Sequence, residues 1–405
     1  MAVLTGFFES HPPQSLGIAV SGGSDSLALL MLALDWARAR DVSVFAATVD
    51  HGLRPEAKAE AQHVADICRD HGIQHDILAW QGWDGQGNLQ AAARIARYRL
   101  LAEWAQTRDI DGVAIGHTMD DVAETFLLRL SRKSGVDGLA AMQPAFDRHG
   151  QRFVRPLLGV SRDDLRSFLK ASDVTWCDDP SNEDLKFDRV RSRKALEHLA
   201  PLGIDVASLA SVSQNLASAR KALQAFAVHA AQDVSVQDRG DLIVTRKAFL
   251  DLPMETYRRL LKEALLWISP ADYAPRQEAL TALHLAISER RTMTLAGCVM
   301  TCGDHRFRLT REAKAVEGVI SDRPSWDRWQ LNGPWRDGME IRVLDGTTLA
   351  SIADWRDCGM PRQSLLASPA VWHQENLVAA PLAGLSNGWT ADLLPEHAFF
   401  PLLYE

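Results

Sequence analysis

Over the first 180 residues, apolar and polar positions fall into alternating blocks. Short apolar runs at 16–20, 42–49, 73–80 and 113–116 read as strands buried in a sheet. Longer stretches with apolar residues at helical spacing lie between and after them, at 27–36, 56–71, 88–108 and 120–130. Pro55 opens the second of these and Gly72 closes it. A further helix runs from a cap at Ser161 to Ala171. Strand and helix in alternation predict a doubly wound α/β domain, a parallel sheet with helices on both faces.

Beyond residue 200 the pattern changes. Residues 205–235 read as one long amphipathic helix that connects domains. Residues 236–314 predict a smaller α+β unit, with a strand at 242–244, helices at 254–268 and 276–289, and strands near 292–300 and 305–310. Residues 322–335, where Trp326, Trp329 and Trp335 stand among Pro and Gly, read as a linker. Short strands such as 340–344 and 376–380 predict a small, mainly-β C-terminal unit. The expected domains are therefore 1–204, 205–320 and 321–405.

Composition narrows the class. A chain of 405 residues exceeds one ordinary core. With 46% hydrophobic and 24% charged residues it reads as a soluble globular protein. No apolar run reaches the roughly 18 residues of a membrane span, so no membrane association is expected. Met1–Ser10 carries no secretory pattern. The five scattered cysteines suggest reduced thiols and a cytoplasmic setting. Cys298 and Cys302 lack the second pair that a zinc site needs. A net charge of −8 argues against a uniformly basic binding surface but leaves local patches open. Arg129, Arg132 and Lys133 form one patch, and Arg189, Arg191, Arg193 and Lys194 a denser one. Arg258, Arg259, Arg276, Arg290 and Arg291 make the middle unit locally basic.

In a doubly wound sheet, ligands sit beyond the carboxyl ends of the strands. Three strand ends carry chemically able groups. After Val20 comes Ser21-Gly22-Gly23-Ser24-Asp25-Ser26. Strand, glycine turn and helix together form an anion cradle, because backbone N–H groups approach closely and the helix start is electropositive. Ser24 or Asp25 can cap the helix, and Ser21 and Ser26 offer hydroxyls to phosphate oxygens. The loop lacks the lysine of a Walker motif and the spacing of a dinucleotide loop. Asp25 in an anion cradle makes sense when magnesium lies between it and phosphates. After Val49 comes Asp50-His51-Gly52-Leu53-Arg54, and after Ile115 comes Gly116-His117-Thr118-Met119-Asp120-Asp121. Asp121 and Glu124, three apart on a helix, share a face that can hold magnesium or a ligand ammonium. The turn-rich loop CDDPSNEDLKF (177–187) beside the second basic patch suits a polyphosphate or RNA.

SGGSDS resembles the loop of the PP-loop, or N-type, ATP pyrophosphatases. The ordered set VDHGLR (49–54), NLQAAARIARYRLL (88–101), GHTMDDVAET (116–125), RLSRKSGVDGL (129–139), RPLL (155–158) and DPSNEDLKFDRVRSRKAL (179–196) resembles the tRNA(Ile)-lysidine synthetases within that superfamily. The likeness continues through YAPRQEALTALHLAI (273–287) and TLAGC (294–298) and, more weakly, PAVWHQENLVAAP (369–381).

The resemblance implies ATP bound by Ser21, Gly22, Gly23, Ser24, Asp25 and Ser26 with Asp50, His51 and Gly116. It implies magnesium at Asp25 and Asp121, and catalytic roles for Asp25, His117, Asp121, Glu124 and Arg191. The implied partners are L-lysine and the CAU-anticodon tRNA(Ile). The implied reaction is adenylation of the wobble cytidine followed by attack of the lysine amine, carried out by a monomer or homodimer. Two positions depart from the family pattern. Thr118 stands where a second histidine is usual, leaving His117 alone, and Val190 stands where an asparagine is usual. The alternative is a 2-thiolating PP-loop enzyme, which typically carries a CxxC pair or an iron–sulfur site; no CxxC occurs here.

Overall fold

The computed structural model describes residues 2–9, 12–52, 57–81, 83, 88–177, 186, 188–271, 274–394 and 399. The chain divides into two compact units, Met1–Arg220 and Lys221–Glu405.

The first unit runs α1 (Ala2–Phe7), β1 (Ser15–Ala19), α2 (Ser24–Arg38), β2 (Ser43–Asp50), α3 (Ala57–Asp70), β3 (Gln74–Ala79), α4 (Leu89–Thr107), β4 (Gly112–Ile115), α5 (Met119–Ser131), α6 (Val136–Leu139), β5 (Ala145–Arg148), β6 (Gln151–Val154), α7 (Arg162–Ala171) and α8 (Asp188–Leu199). The sheet order is β3-β2-β1-β4-β6-β5. All neighbours are parallel except the β5–β6 hairpin. β1 is central, with Ile18 level with Ala46 of β2 on one side and Ala114 of β4 on the other. Alternate residues of β1 feed opposite faces. Leu16 and Ile18 join the core with α2, while Ala19 joins Tyr98, Leu101 and Trp104 of α4. The doubly wound expectation holds. The chain winds outward from β1 to β3 and returns to β4 on the other flank, so the winding reverses between β1 and β4, the place where doubly wound sheets hold ligands. The hairpin β5–β6 escapes the hydrophobic pattern because each strand has only four residues. His149 (φ 52°) and Gly150 (φ 71°) supply its left-handed turn.

The long helix α9 (Val206–Val234) crosses from the first unit's residues into the second's. The second unit then holds β7 (Ser235–Asp238), β8 (Asp241–Thr245), α10 (Arg246–Leu250), α11 (Met254–Ile268), α12 (Gln277–Ser288), β9 (Met293–Leu295), β10 (Cys298–Cys302) and β11 (Arg306–Arg311). Its antiparallel sheet has the order β7-β8-β11-β10-β9. The single strand read at 292–300 is two, broken by a left-handed turn at Ala296 and Gly297. Two three-stranded sheets follow, built from residues 325–326, 329–332 and 390–393, and from 339–343, 369–373 and 376–379.

Residues 322–335 are not a linker. Trp326 and Trp329 pair across a tight turn and are 2% and 4% exposed, packed with Leu331, Ile341 and Trp389. Pro and Gly mark the turns of a small β unit here, and the tryptophans are its core. The basic character of the middle unit is also largely neutralised within it. Arg259 is buried on Glu255 at 2.8 Å, Arg290 pairs with Asp304 and Arg291 with Glu289.

Trp326→Ala should therefore lower stability by about 3–5 kcal/mol, the cost of emptying an aromatic core position. Urea unfolding of the full chain, followed by tryptophan fluorescence, measures it. A loss below about 1 kcal/mol, as at a surface site, would restore the linker reading.

Candidate active site

The loop after β1 is built to leave donors open. Gly22 has φ +83°, a backbone that only glycine adopts without strain. Gly23 is the N-cap of α2, extended at φ −77°, and its carbonyl accepts from Leu27 N–H at 3.1 Å. Neither Ser24 nor Asp25 caps the helix, contrary to the sequence expectation, because the helix already begins at Ser24 and both residues lie in its first turn. The Ser26 hydroxyl closes the loop instead. It donates to Gly23 O at 3.0 Å and accepts from Ser21 N–H at 3.1 Å. With no side-chain cap, the first-turn N–H groups have no helical acceptor, an arrangement able to receive an anion. Ser24 Oγ donates to Asp25 Oδ1 at 2.9 Å.

β4 ends against this loop. A Cβ on Gly116 would lie 3.1 Å from the Asp25 carbonyl group and from Ser26 Cα. Glycine at 116 therefore lets the two strand ends touch. The next turn is fixed by Thr118, fully buried, which caps α5 in a reciprocal box with Asp121. Asp121 Oδ2 accepts from Thr118 N–H at 2.9 Å and from its hydroxyl at 3.1 Å. One turn on, Glu124 is 1% exposed.

Arginines from later in the chain hold these carboxylates. Arg162, the first residue of α7, donates through Nε to Asp25 Oδ2 at 3.0 Å and through Nη1 to Glu124 Oε1 at 3.3 Å. Its Nη2 lies 4.0 Å from Asp121 Oδ2, and its backbone N–H donates to Asp120 at 2.8 Å. Arg193 grips Glu124 Oε1 with Nε and Nη2, both at 3.0 Å. Arg189 Nη1 is 3.7 Å from Asp121 Oδ1. Glu124 Oε2 is buried and has no hydrogen-bond partner among the described residues. Burial acts to raise the Asp121 carboxyl, but the neighbouring His117 first, then the Thr118 N–H, Arg189 and Arg162, outweigh it and hold the group below the usual carboxylate range.

His117 faces the same crevice. Arg155 Nε donates to its Nδ1 at 3.1 Å, and the guanidinium is itself fixed by Gln143 O at 2.7 Å and by the Phe146 ring 4.1 Å below it. A guanidinium only donates, so Nδ1 is the acceptor and the ring proton resides on Nε2. Burial first, then the positive charges of Arg155, Arg97 and Arg189, push the imidazole down to about 3 against the pull of Asp121. His117 is thus a neutral donor at physiological pH.

At the end of β2, Asp50 Oδ1 accepts from Gly52 N–H at 2.8 Å. His51 packs edge-on against Trp80, and its buried Nδ1 has no hydrogen-bond partner among the described residues. Burial and Arg97 lower its pKa, Asp50 opposing. Leu53, Arg54 and most of the loop 177–187 lie outside the described residues.

The structure therefore brings Asp25, Gly116, Asp121 and Glu124 together, with Ser21 to Ser26 on one wall and His117 in the electrostatic field of Asp121. It does not bring Arg191 there. Arg191 is exposed and bonded to Asp188 and to Lys186 O. α8 packs on α5 through the face bearing residues 189 and 193, four apart, which turns 191 away. Arg97, Arg155 and Arg162 were not singled out from the sequence. Arg97 and Arg94 recur at helical spacing just after β3, and Arg155 and Arg162 flank the segment between β6 and α7. Arginines crowded behind strand ends are the signal that was available.

The PP-loop domain family matches residues 2–199. The chain is 47% identical to a tRNA(Ile)-lysidine synthase of Ruegeria pomeroyi over 95% of its own length and 93% of the relative's. It is 35% identical to the enzyme of the same name from Wolbachia pipientis wMel, over 81% of this chain and 77% of that one. A solved U34-tRNA thiolase from Methanococcus maripaludis, with its 4Fe-4S cluster, overlays with TM-score 0.44 at 18% identity, over 50% of this chain and 72% of that one.

The His117 environment gives a pH signature. Its pKa falls from 6.5 unfolded to about 3 folded. The stability of the neutral ring is complete above pH 6.5 and is lost as pH falls through that window, by about 1.4 kcal/mol per unit. His117→Asn should make stability fall less steeply between about pH 6.5 and pH 4.5. Urea unfolding across that range measures the slope, and an unchanged slope would contradict a buried, neutral His117.

Proposed function

The chain belongs to the tRNA(Ile)-lysidine synthase family, and from that membership we propose how its site works. It is an ATP-dependent ligase that modifies tRNA(Ile). The reaction joins the side-chain amine of L-lysine to carbon 2 of the wobble cytidine in the CAU-anticodon tRNA(Ile). The observation that carries this reading is Glu124 Oε2, a buried carboxylate oxygen with no hydrogen-bond partner among the described residues, one helical turn from Asp121 and tied through Arg162 to the phosphate loop. An unpaired buried acceptor costs about 1–3 kcal/mol, and a ligand ammonium relieves that cost.

The triphosphate lies over the open first turn of α2, with the Ser21, Ser24 and Ser26 hydroxyls and the Gly22–Gly23 backbone around it. The target base is splayed from the anticodon stack to reach it. The cytosine carbon-2 oxygen attacks the α-phosphorus, the bond to the β-phosphate oxygen breaks, and pyrophosphate leaves. His117 Nε2–H donates a hydrogen bond to the oxygen that gains charge. Asp50, His51 and Gly116 frame the nucleotide. The lysine ammonium docks on Glu124 Oε2 beside Asp121. A proton passes from the ammonium to the carboxylate, the freed amine lone pair attacks carbon 2, and AMP departs with the former carbonyl oxygen.

Among the described residues no three His, Cys, Asp or Glu side chains converge as a metal cage. Magnesium asks less, since one or two carboxylates plus phosphates suffice, and the donor type at Asp25, with Asp121 beyond Arg162, fits it. When bound, the ion would screen the phosphates and make the α-phosphorus more electrophilic. No helix among the described residues is long and apolar enough to cross a membrane.

Purified chain with ATP, L-lysine and CAU-anticodon tRNA(Ile) should release pyrophosphate and AMP and incorporate lysine into the tRNA. Pyrophosphate release without lysine incorporation would remove the lysine reading. Asp25→Ala should lower pyrophosphate release by at least about a thousandfold while tRNA affinity changes less than about threefold. Glu124→Gln should raise the lysine KM by about tenfold or more, with a smaller effect on pyrophosphate release. Equal losses in both would argue against an ammonium site at Glu124.

A further inference from the structure

Arg162 is the one described side chain that touches both halves of this site. Its Nε holds Asp25 in the phosphate loop and its Nη1 holds Glu124 on α5, with Asp121 at 4.0 Å. It is well buried and its backbone N–H is fixed by Asp120, so its stem has little freedom while its fork is shared. Glu124 Oε1 has a second holder in Arg193; Asp25 Oδ2 has Arg162.

We infer that Arg162 is a positioning residue that links nucleotide binding to lysine binding. In the free chain it fills the acidic pocket as an internal cation. Triphosphate arriving over the first turn of α2 brings negative charge to the Asp25 side and draws the guanidinium toward it. Glu124 is then left to Arg193 and to an incoming ammonium. Nucleotide thus raises lysine affinity, and by reciprocity lysine raises nucleotide affinity by the same factor. This rests on the lysine reading of Glu124. The planar fork is what permits one group to serve both carboxylates, so lysine at 162 can keep the charge but not both bonds.

The test is calorimetric titration of the full chain with L-lysine, with and without the α,β-methylene analogue of ATP and magnesium. In the wild type, the analogue should tighten lysine binding by about fivefold or more. In Arg162→Gln the gain should fall below about twofold. Arg162→Lys should lie between, and it carries the test should the Gln variant not fold. A wild type without coupling, or an Arg162→Gln variant with full coupling, would overturn the proposal. Failure of the lysine reading shows differently, as no lysine binding to the wild type under either condition, and it removes this proposal too.

Discussion

Three carboxylates cannot occupy one half-buried crevice unless positive charge is brought among them. At about 4 Å, two like charges repel by about 4 kcal/mol even at an effective dielectric of 20. Asp25, Asp121 and Glu124 meet that condition through Arg162, Arg189 and Arg193. The acids come from the first third of the chain and the bases from α7 and α8, after the sheet is complete. The site is therefore assembled only when the late helices return to the strand ends. This gives a role to the two helices that follow once the β5–β6 hairpin has completed the sheet.

The close approach has steric conditions as well. Gly22 supplies a left-handed backbone, and Gly116 leaves room for the Asp25 carbonyl. Thr118 binds Asp121 at the helix start and so aims it before any arginine arrives. Ser26 performs the closure that a cap would otherwise give, which leaves the electropositive end of α2 available to an anion. Each is a local choice that a polar loop of average composition would not make together.

How legible was this in the sequence? The strands, the anion loop and the acidic turn were legible because each is a contiguous pattern: an apolar run, then a short polar motif at its end. The cationic half was not. Arg162 sits some 140 positions from Asp25, and nothing local to α7 distinguishes it from a solvated first-turn arginine. Arg191 was singled out by its place in a dense basic run, yet helical geometry turns residues 189 and 193 inward. The tryptophans at 326 and 329 were misread for a related reason. Pro and Gly around them signalled a loop, while their burial depends on strands at 339–343 and 390–393.

The neutral histidine bears on where protons go. With Nδ1 fixed as an acceptor by Arg155, His117 can donate through Nε2 but has no free lone pair to take a proton without losing that bond. The position beside it holds a threonine that is spent on the helix cap. Glu124 Oε2, a buried acceptor with no hydrogen-bond partner among the described residues, is where the proposed reaction places the ammonium. On that proposal, binding and deprotonation of the amine would fall to one oxygen: docking would stabilise the charged amine, and transfer of a proton along the same hydrogen bond would free the lone pair that attacks carbon 2.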